Sequence, residues 1–152
     1  RSDFLPGLRA TLDFDREDRF AGKEPGMISG VAEDPLAPSS LPTPDSWQWF
    51  TETGNTRAPS WHNAVTLRTL EMLMEYEPGT YIDRVAPTPL LLVVAAGDVL
   101  VPAELALEAY ERALEPKKLV ILPGGHFGAY TGPDFELSSG SARDWLGQHL
   151  LG

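Results

Sequence analysis

The chain has 152 residues, 42% of them hydrophobic, which is enough for a real core. Twelve Lys and Arg stand against 22 Asp and Glu, a formal net charge of −10, so nucleic-acid and membrane-surface partners are not expected. With no cysteine, disulfides, thiolate metal sites and a cysteine nucleophile are excluded, and the composition fits a reducing, cytoplasmic compartment.

Taken in chain order, residues 1–87 are rich in Pro, Gly, Trp and charge, with no convincing buried strand. A first helix is expected from Ala10 to Phe20, ended by Gly22. The stretch GKEPGMISGVAEDPLAPSSLPTP, Gly22 to Pro44, carries too many prolines and glycines for regular structure and is expected to be loop. Pro44-Asp45-Ser46 reads as a helix start, with the helix running through Trp47, Trp49 and Phe50 to about Thr53. Ser60 is a candidate cap for a longer helix from Trp61 to Tyr76. There Arg68, Glu71 and Glu75 form one narrow wet stripe. Val65, Leu67, Leu70, Met72, Leu73 and Met74 cover most of the remaining circumference, which predicts a largely buried helix.

From Thr88 the pattern becomes strand, helix, strand, helix. Leu90 to Ala95 is continuously apolar, as in a strand covered on both faces. Pro102 fits the first turn of a helix from Ala103 to Leu114, with Glu104, Glu108, Glu111 and Glu115 on the solvated side. Pro116 stops it, and Lys118 to Leu122 is a second apolar strand. A last helix lies between Asp134 and Leu151, with Ala142, Trp145, Leu146 and Leu150 on one face. This order predicts a parallel pair joined by a crossover. Two doubly buried strands need neighbours that the sequence does not supply, so a piece of a larger sheet is expected. The longest apolar run, Pro89 to Ala96, is too short to span a bilayer. The chain opens on Arg1 rather than Met, so a natural N-terminus upstream is expected.

In open α/β sheets ligands bind at the carboxyl ends of the strands. Asp98 lies just past the first apolar strand and His126 just past the second, and adjacent parallel strands bring both loops to one edge. A carboxylate there can accept the Nδ1–H of the imidazole and stabilise the imidazolium. Gly97 and Gly124-Gly125 permit the tight turns such placement needs. Singly, Asp98 reads as a turn residue capping the next helix, and His126 as a loop histidine satisfied by backbone. Their matched placement favours a working pair. His62 and His149 are expected to be structural or surface residues, and three scattered histidines give no metal site. Trp47, Trp49, Phe50 and Trp61 are candidate substrate-pocket residues, although an aromatic cluster equally builds a core.

PLLLVVAAGDVLVP, Pro89 to Pro102, and KKLVILPGGHFGAY, Lys117 to Tyr130, resemble the acid loop and histidine loop of α/β-hydrolase-fold enzymes. They are similar in particular to the lidded esterase, dienelactone-hydrolase and prolyl-oligopeptidase-like branches. The resemblance implies that Asp98 in G-D-x-x-V-P is the triad acid and that His126 in G-H-F is the triad histidine. It also implies an α/β fold: the C-terminal portion of a parallel sheet with flanking helices (residues 88–152), preceded by a mostly helical cap (residues 1–87).

The family's G-x-S-x-G nucleophile elbow is absent. GMISG, Gly26 to Gly30, has its serine one place too late, and SSGSA, Ser138 to Ala142, lies beyond the histidine. The expectation is therefore a serine hydrolase of esters or amides, without cofactor or metal, whose nucleophile belongs to a missing N-terminal part. This chain alone would be inactive. Alternatives are a C–C or lactone hydrolase with the same triad, and a non-catalytic fragment that binds a partner or pairs with a second copy through its sheet edge.

Overall fold

Seventeen residues open the described chain as helix α1, Phe4–Phe20, in the computed structural model, which describes residues 4–151. Gly22 ends it at φ +83°, a left-handed turn that suits glycine, with its N–H donating to the Arg19 carbonyl at 3.0 Å. Contacts then divide the chain into two units, meeting at Tyr76 and Glu77.

In the first unit α1 packs on α3, Leu67–Glu75, and a second helix, α2, covers Pro44–Thr56. The loop expected over Gly22 to Pro44 holds an isolated bridge between Ser29 and Ser39 and one short strand. β1, Met27–Ile28, pairs antiparallel with β2, Val65–Thr66. This pairing corrects the expected helix from Trp61. Val65 and Thr66 are extended, Asn63 uses its side chain to hold the Val31 backbone, and the helix starts only at Leu67. Its cap is Thr66, whose Oγ1 accepts from the Thr69 N–H, rather than Ser60.

The wet stripe also needs correction. Glu71 accepts from Arg16 and, at 2.7 Å, from Arg19 on α1. Asp15 joins the same network through Arg19 at 2.8 Å and through the Gly26 N–H at 2.6 Å. These hydrogen bonds hold the Asp15 and Glu71 carboxyls below their ordinary values, Asp15 through Gly26 first and Glu71 through Arg16 first. Conversely, Met72, Leu73, Met74 and Tyr76 are exposed, and only Leu70 of α3 is buried. The expected burial fails because nothing in the described chain covers that side. The buried centre of this unit is Leu12, Val31, Leu70 and Ser46.

The second unit follows the expected alternation. β3, Leu90–Ala95, leads to α4, Ala103–Arg112; β4, Lys117–Leu122, leads to α5, Gly132–Leu150. β3 and β4 are parallel, in register from Leu90↔Lys117 to Ala95↔Leu122. A 3-10 turn, Pro78–Arg84, belongs to this unit and packs on α4, where Arg112 donates to the Gly79 carbonyl at 3.0 Å. Val94, Ala95, Ala113 and Leu122 form the buried core, clustered at the carboxyl ends of the strands and the end of α4. The remaining strand residues are only partly covered, and Ile121 is 45% exposed. Among the described residues no helix is long and apolar enough to cross a membrane.

Candidate active site

The parallel register sets the site. Because Ala95 stands opposite Leu122, the chain leaves both strands at the same edge. Pairing continues beyond the strands: Ala96 N–H donates to the Leu122 carbonyl at 2.8 Å, and Gly97 N–H to the Gly124 carbonyl at 2.9 Å. A Cβ on Gly97 would lie 3.1 Å from that carbonyl oxygen, so glycine is what lets the two loops touch.

Asp98 then divides its carboxylate between two tasks. Oδ1 accepts the N–H groups of Leu100 at 2.9 Å and Val101 at 2.8 Å, an Asx-type turn that aims the side chain. Oδ2 meets His126 Nδ1 at 2.8 Å. The turn-capping role and the histidine-facing role are thus filled by one side chain. Burial pushes the Asp98 carboxyl up, but the Val101 amide, the His126 ring and the Leu100 amide together outweigh it and hold the pKa below its ordinary 3.8. Asp98 is therefore ionised at neutral pH and can only accept. Nδ1 must carry the shared proton, which makes Nε2 the basic nitrogen.

His126 opens the 3-10 turn His126–Tyr130. Its ring stands edge-on to Phe127 at 4.8 Å and to Tyr130 at 6.0 Å. The Asp98 side chain is 11% exposed and that of His126 is 25% exposed, so the pair is shielded while the ring stays reachable. An imidazole so oriented can take a proton from a hydroxyl and return it to a leaving group. Three serines of the described residues have side-chain bonds elsewhere, Ser40 to Gly30, Ser46 to Thr43 and Ser139 to Phe135, while the buried Ser39 hydroxyl has no partner.

The four aromatics expected near substrate all lie in the first unit. Trp47 and Trp61 line a cleft of about 340 Å³ with Thr51, Gly54, Asn55, Pro59, His62 and Asn63. Trp49 and Phe50 pack behind it, with Phe50 against Trp61 at 5.6 Å and Trp49 at 5.1 Å. His62 is exposed at that cleft, and the His149 ring packs against Trp145, tilted by 60° with the ring centres 4.1 Å apart. Among the described residues no group of three or more His, Asp or Glu is placed to hold a metal ion. Sequence reasoning passed over the Leu100 and Val101 amides, although acceptance at i+2 and i+3 is the ordinary signature of an aspartate turn. It also passed over Asp134, whose side chain reaches the histidine loop.

A parallel strand–helix–strand–helix unit, with an acid after one strand and a histidine after the next, is the late part of an α/β-hydrolase sheet. The chain has a partial α/β-hydrolase fold and is similar to members of that superfamily. It superposes on the solved α/β-hydrolase GrgF from Penicillium sp. sh18 with a TM-score of 0.76 and 25% identity, covering 97% of this chain and 51% of that one. The structure of DcsB in complex with its substrate analogue has the same fold, with a TM-score of 0.81 at 21% identity, covering 100% of this chain and 53% of that one. Among curated proteins, a thiohydrolase of Eupenicillium brefeldianum is 26% identical over 139 residues, 89% of this chain and 45% of the relative. A polyketide transferase of Gibberella fujikuroi is 34% identical over 115 residues, 74% of this chain and 35% of the relative. The chain thus spans less than half the length of these curated relatives. No family model matches it.

Proposed function

We propose that this chain supplies the acid and the base of a Ser-His-Asp hydrolase acting on an ester-type acyl bond. The observation that carries the reading is the 2.8 Å contact between His126 Nδ1 and Asp98 Oδ2 at the carboxyl edge of a parallel strand pair. The serine lies outside these 152 residues. Its Oγ attacks the acyl carbonyl while His126 Nε2 takes the hydroxyl proton, and Asp98 stabilises the imidazolium so formed. Collapse of the tetrahedral intermediate breaks the bond to the leaving group, which departs with the proton from Nε2. Water then attacks the acyl-enzyme, gives its proton to Nε2, and releases the acid as the serine regains its proton. In the first unit, the cleft at Trp47 and Trp61 suits an apolar group of a substrate.

Two relatives, a thiohydrolase and a polyketide transferase, support acyl chemistry and favour thioesters beside the oxygen esters and amides expected from sequence. The test starts upstream of the codon for Arg1. The DNA there should encode G-x-S-x-G after a strand. An open reading frame lacking it would favour the binding-fragment reading instead. In the enzyme that includes that segment, thioester and p-nitrophenyl ester hydrolysis should fall roughly 10⁴-fold in Asp98→Asn and comparably in His126→Ala. Activity surviving both changes would overturn the assignment.

A further inference from the structure

Gly124 is the point at which three segments of the second unit are tied. Its carbonyl accepts the Gly97 N–H, one residue before Asp98. Its own N–H donates at 2.9 Å to Asp134 Oδ2, and Asp134 sits in the first turn of α5. Two residues after Gly124 comes His126. The fit around the Asp134 carboxylate is tight. A Cβ on Gly124 would collide with Oδ2, and one on Gly128 would come within 3.0 Å of it. Gly124 has no left-handed φ, so what excludes a side chain there is the space the carboxylate occupies.

We infer that Asp134 is a positioning residue for the Asp98–His126 pair. It grips the histidine loop from the α5 side while Gly97 grips it from the β3 side, which fixes the distance between carboxylate and imidazole. The inference rests on the proposed role of that pair, and it assigns Asp134 no contact with substrate. Asp134 also stands where a helix N-terminus favours an anion. Charge alone, however, would not require the oxygen to meet the Gly124 N–H, nor glycines on both sides of it.

The experiment uses the full chain labelled with ¹⁵N, with NMR on wild type, Asp134→Asn, Asp134→Ala, Gly124→Ala and the Gly124→Ala/Asp134→Ala double variant. Three quantities are read: the ring ¹⁵N shifts of His126, which report its tautomer; hydrogen exchange of the Gly97 and Gly124 amides; and the thermal midpoint. Wild type should show the Nδ1–H tautomer. Asp134→Ala should speed exchange at both amides roughly tenfold, the loss expected for one hydrogen bond, and should depopulate that tautomer. Asp134→Asn keeps an accepting oxygen and should retain most of both.

Gly124→Ala should disturb the same signals with Asp134 present. The double variant should be no worse than Asp134→Ala alone, because the methyl then has room. Unchanged amides and tautomer in Asp134→Ala, with only the midpoint lowered, would reduce Asp134 to a helix-terminal charge and overturn the inference. So would additive effects in the double variant, which also serves if a single variant fails to fold. A wild-type His126 without the Nδ1–H tautomer would instead overturn the proposed function itself.

Discussion

At the scale of single residues, the chemistry depends on one carboxylate that makes three hydrogen bonds. Asp98 is aimed by two amides and completed by an imidazole, and the three together hold its pKa down against burial. That depression has a consequence for stability. Since the folded-state pKa lies below the ordinary 3.8, the stabilisation is whole above that value and is lost as pH falls through the lowered one. Asp15 and Glu71, also held down, act in the same direction in the first unit. Urea melts between neutral and strongly acidic pH should therefore show a smaller acid-side loss of stability in Asp98→Asn than in wild type. Equal losses in the two proteins would mean that the carboxylate is not stabilised in the folded chain. The pair itself was legible in the sequence, from G-D-x-x-V-P and G-G-H-F at the ends of two apolar runs. The two amides that aim Asp98 follow from its reading as a turn residue, but Asp134 does not, because a carboxylate ten residues from Gly124 has no signature until the loops are folded together.

Among the elements, those with strong local signals matched the fold. β3 covers the expected Leu90 to Ala95, and β4 starts one residue early at Lys117. The inner end of β4 holds Leu122, 1% exposed. Leu122→Ala should cost about 2–5 kcal/mol by leaving a cavity there, measured by chemical denaturation. In α2, Gly54 lies under the Trp61 ring, with a hypothetical Cβ only 2.7 Å from it. Two effects compete in Gly54→Ala. Helix propensity gains about 0.5–1 kcal/mol, while overpacking against a rigid indole costs about 1–3 kcal/mol. Net destabilisation is expected, together with a shift in tryptophan fluorescence; a more stable variant would show that Trp61 moves aside freely. α3 departed most from expectation because its apolar periodicity continued backwards through Val65 and Thr66, which pair with β1 instead. Of the six residues from Trp61 to Thr66 that the pattern made helical, the last two are strand, and that outcome cannot be foreseen without knowing where Met27 and Ile28 lie.

On the scale of the whole molecule, the notable feature is apolar surface left open. Met72, Leu73, Met74 and Tyr76 on one unit, and Val99, Val101, Leu105 and Ile121 on the other, are all exposed. β3 and β4 form a sheet of two strands, and such a sheet is marginal in water without further partners. The isolated chain should accordingly unfold at low free energy, at or below about 5 kcal/mol, the lower end for natural domains. Calorimetry would check this, and a sharply cooperative, high-temperature transition would contradict it. A fluorophosphonate probe should leave the chain unlabelled, since the proposed attacking serine lies elsewhere. A labelled serine within the 152 residues, located by peptide mass, would place the nucleophile in this chain after all.

The sequence by itself determined the alternation of apolar strand and amphipathic helix after Thr88, the parallel pairing, and the placing of Asp98 and His126 at strand ends. Each of these follows from local periodicity and from glycines whose positions admit few alternatives. Only tertiary structure decided that Glu71 binds two arginines, that Thr66 rather than Ser60 begins α3, and that Asp134 reaches the Gly124 amide. The Glu71 and Asp134 contacts join residues distant along the chain, and the local Thr66 cap is set by the pairing of Val65 and Thr66 with β1, so all three exist only once the backbone has closed around them.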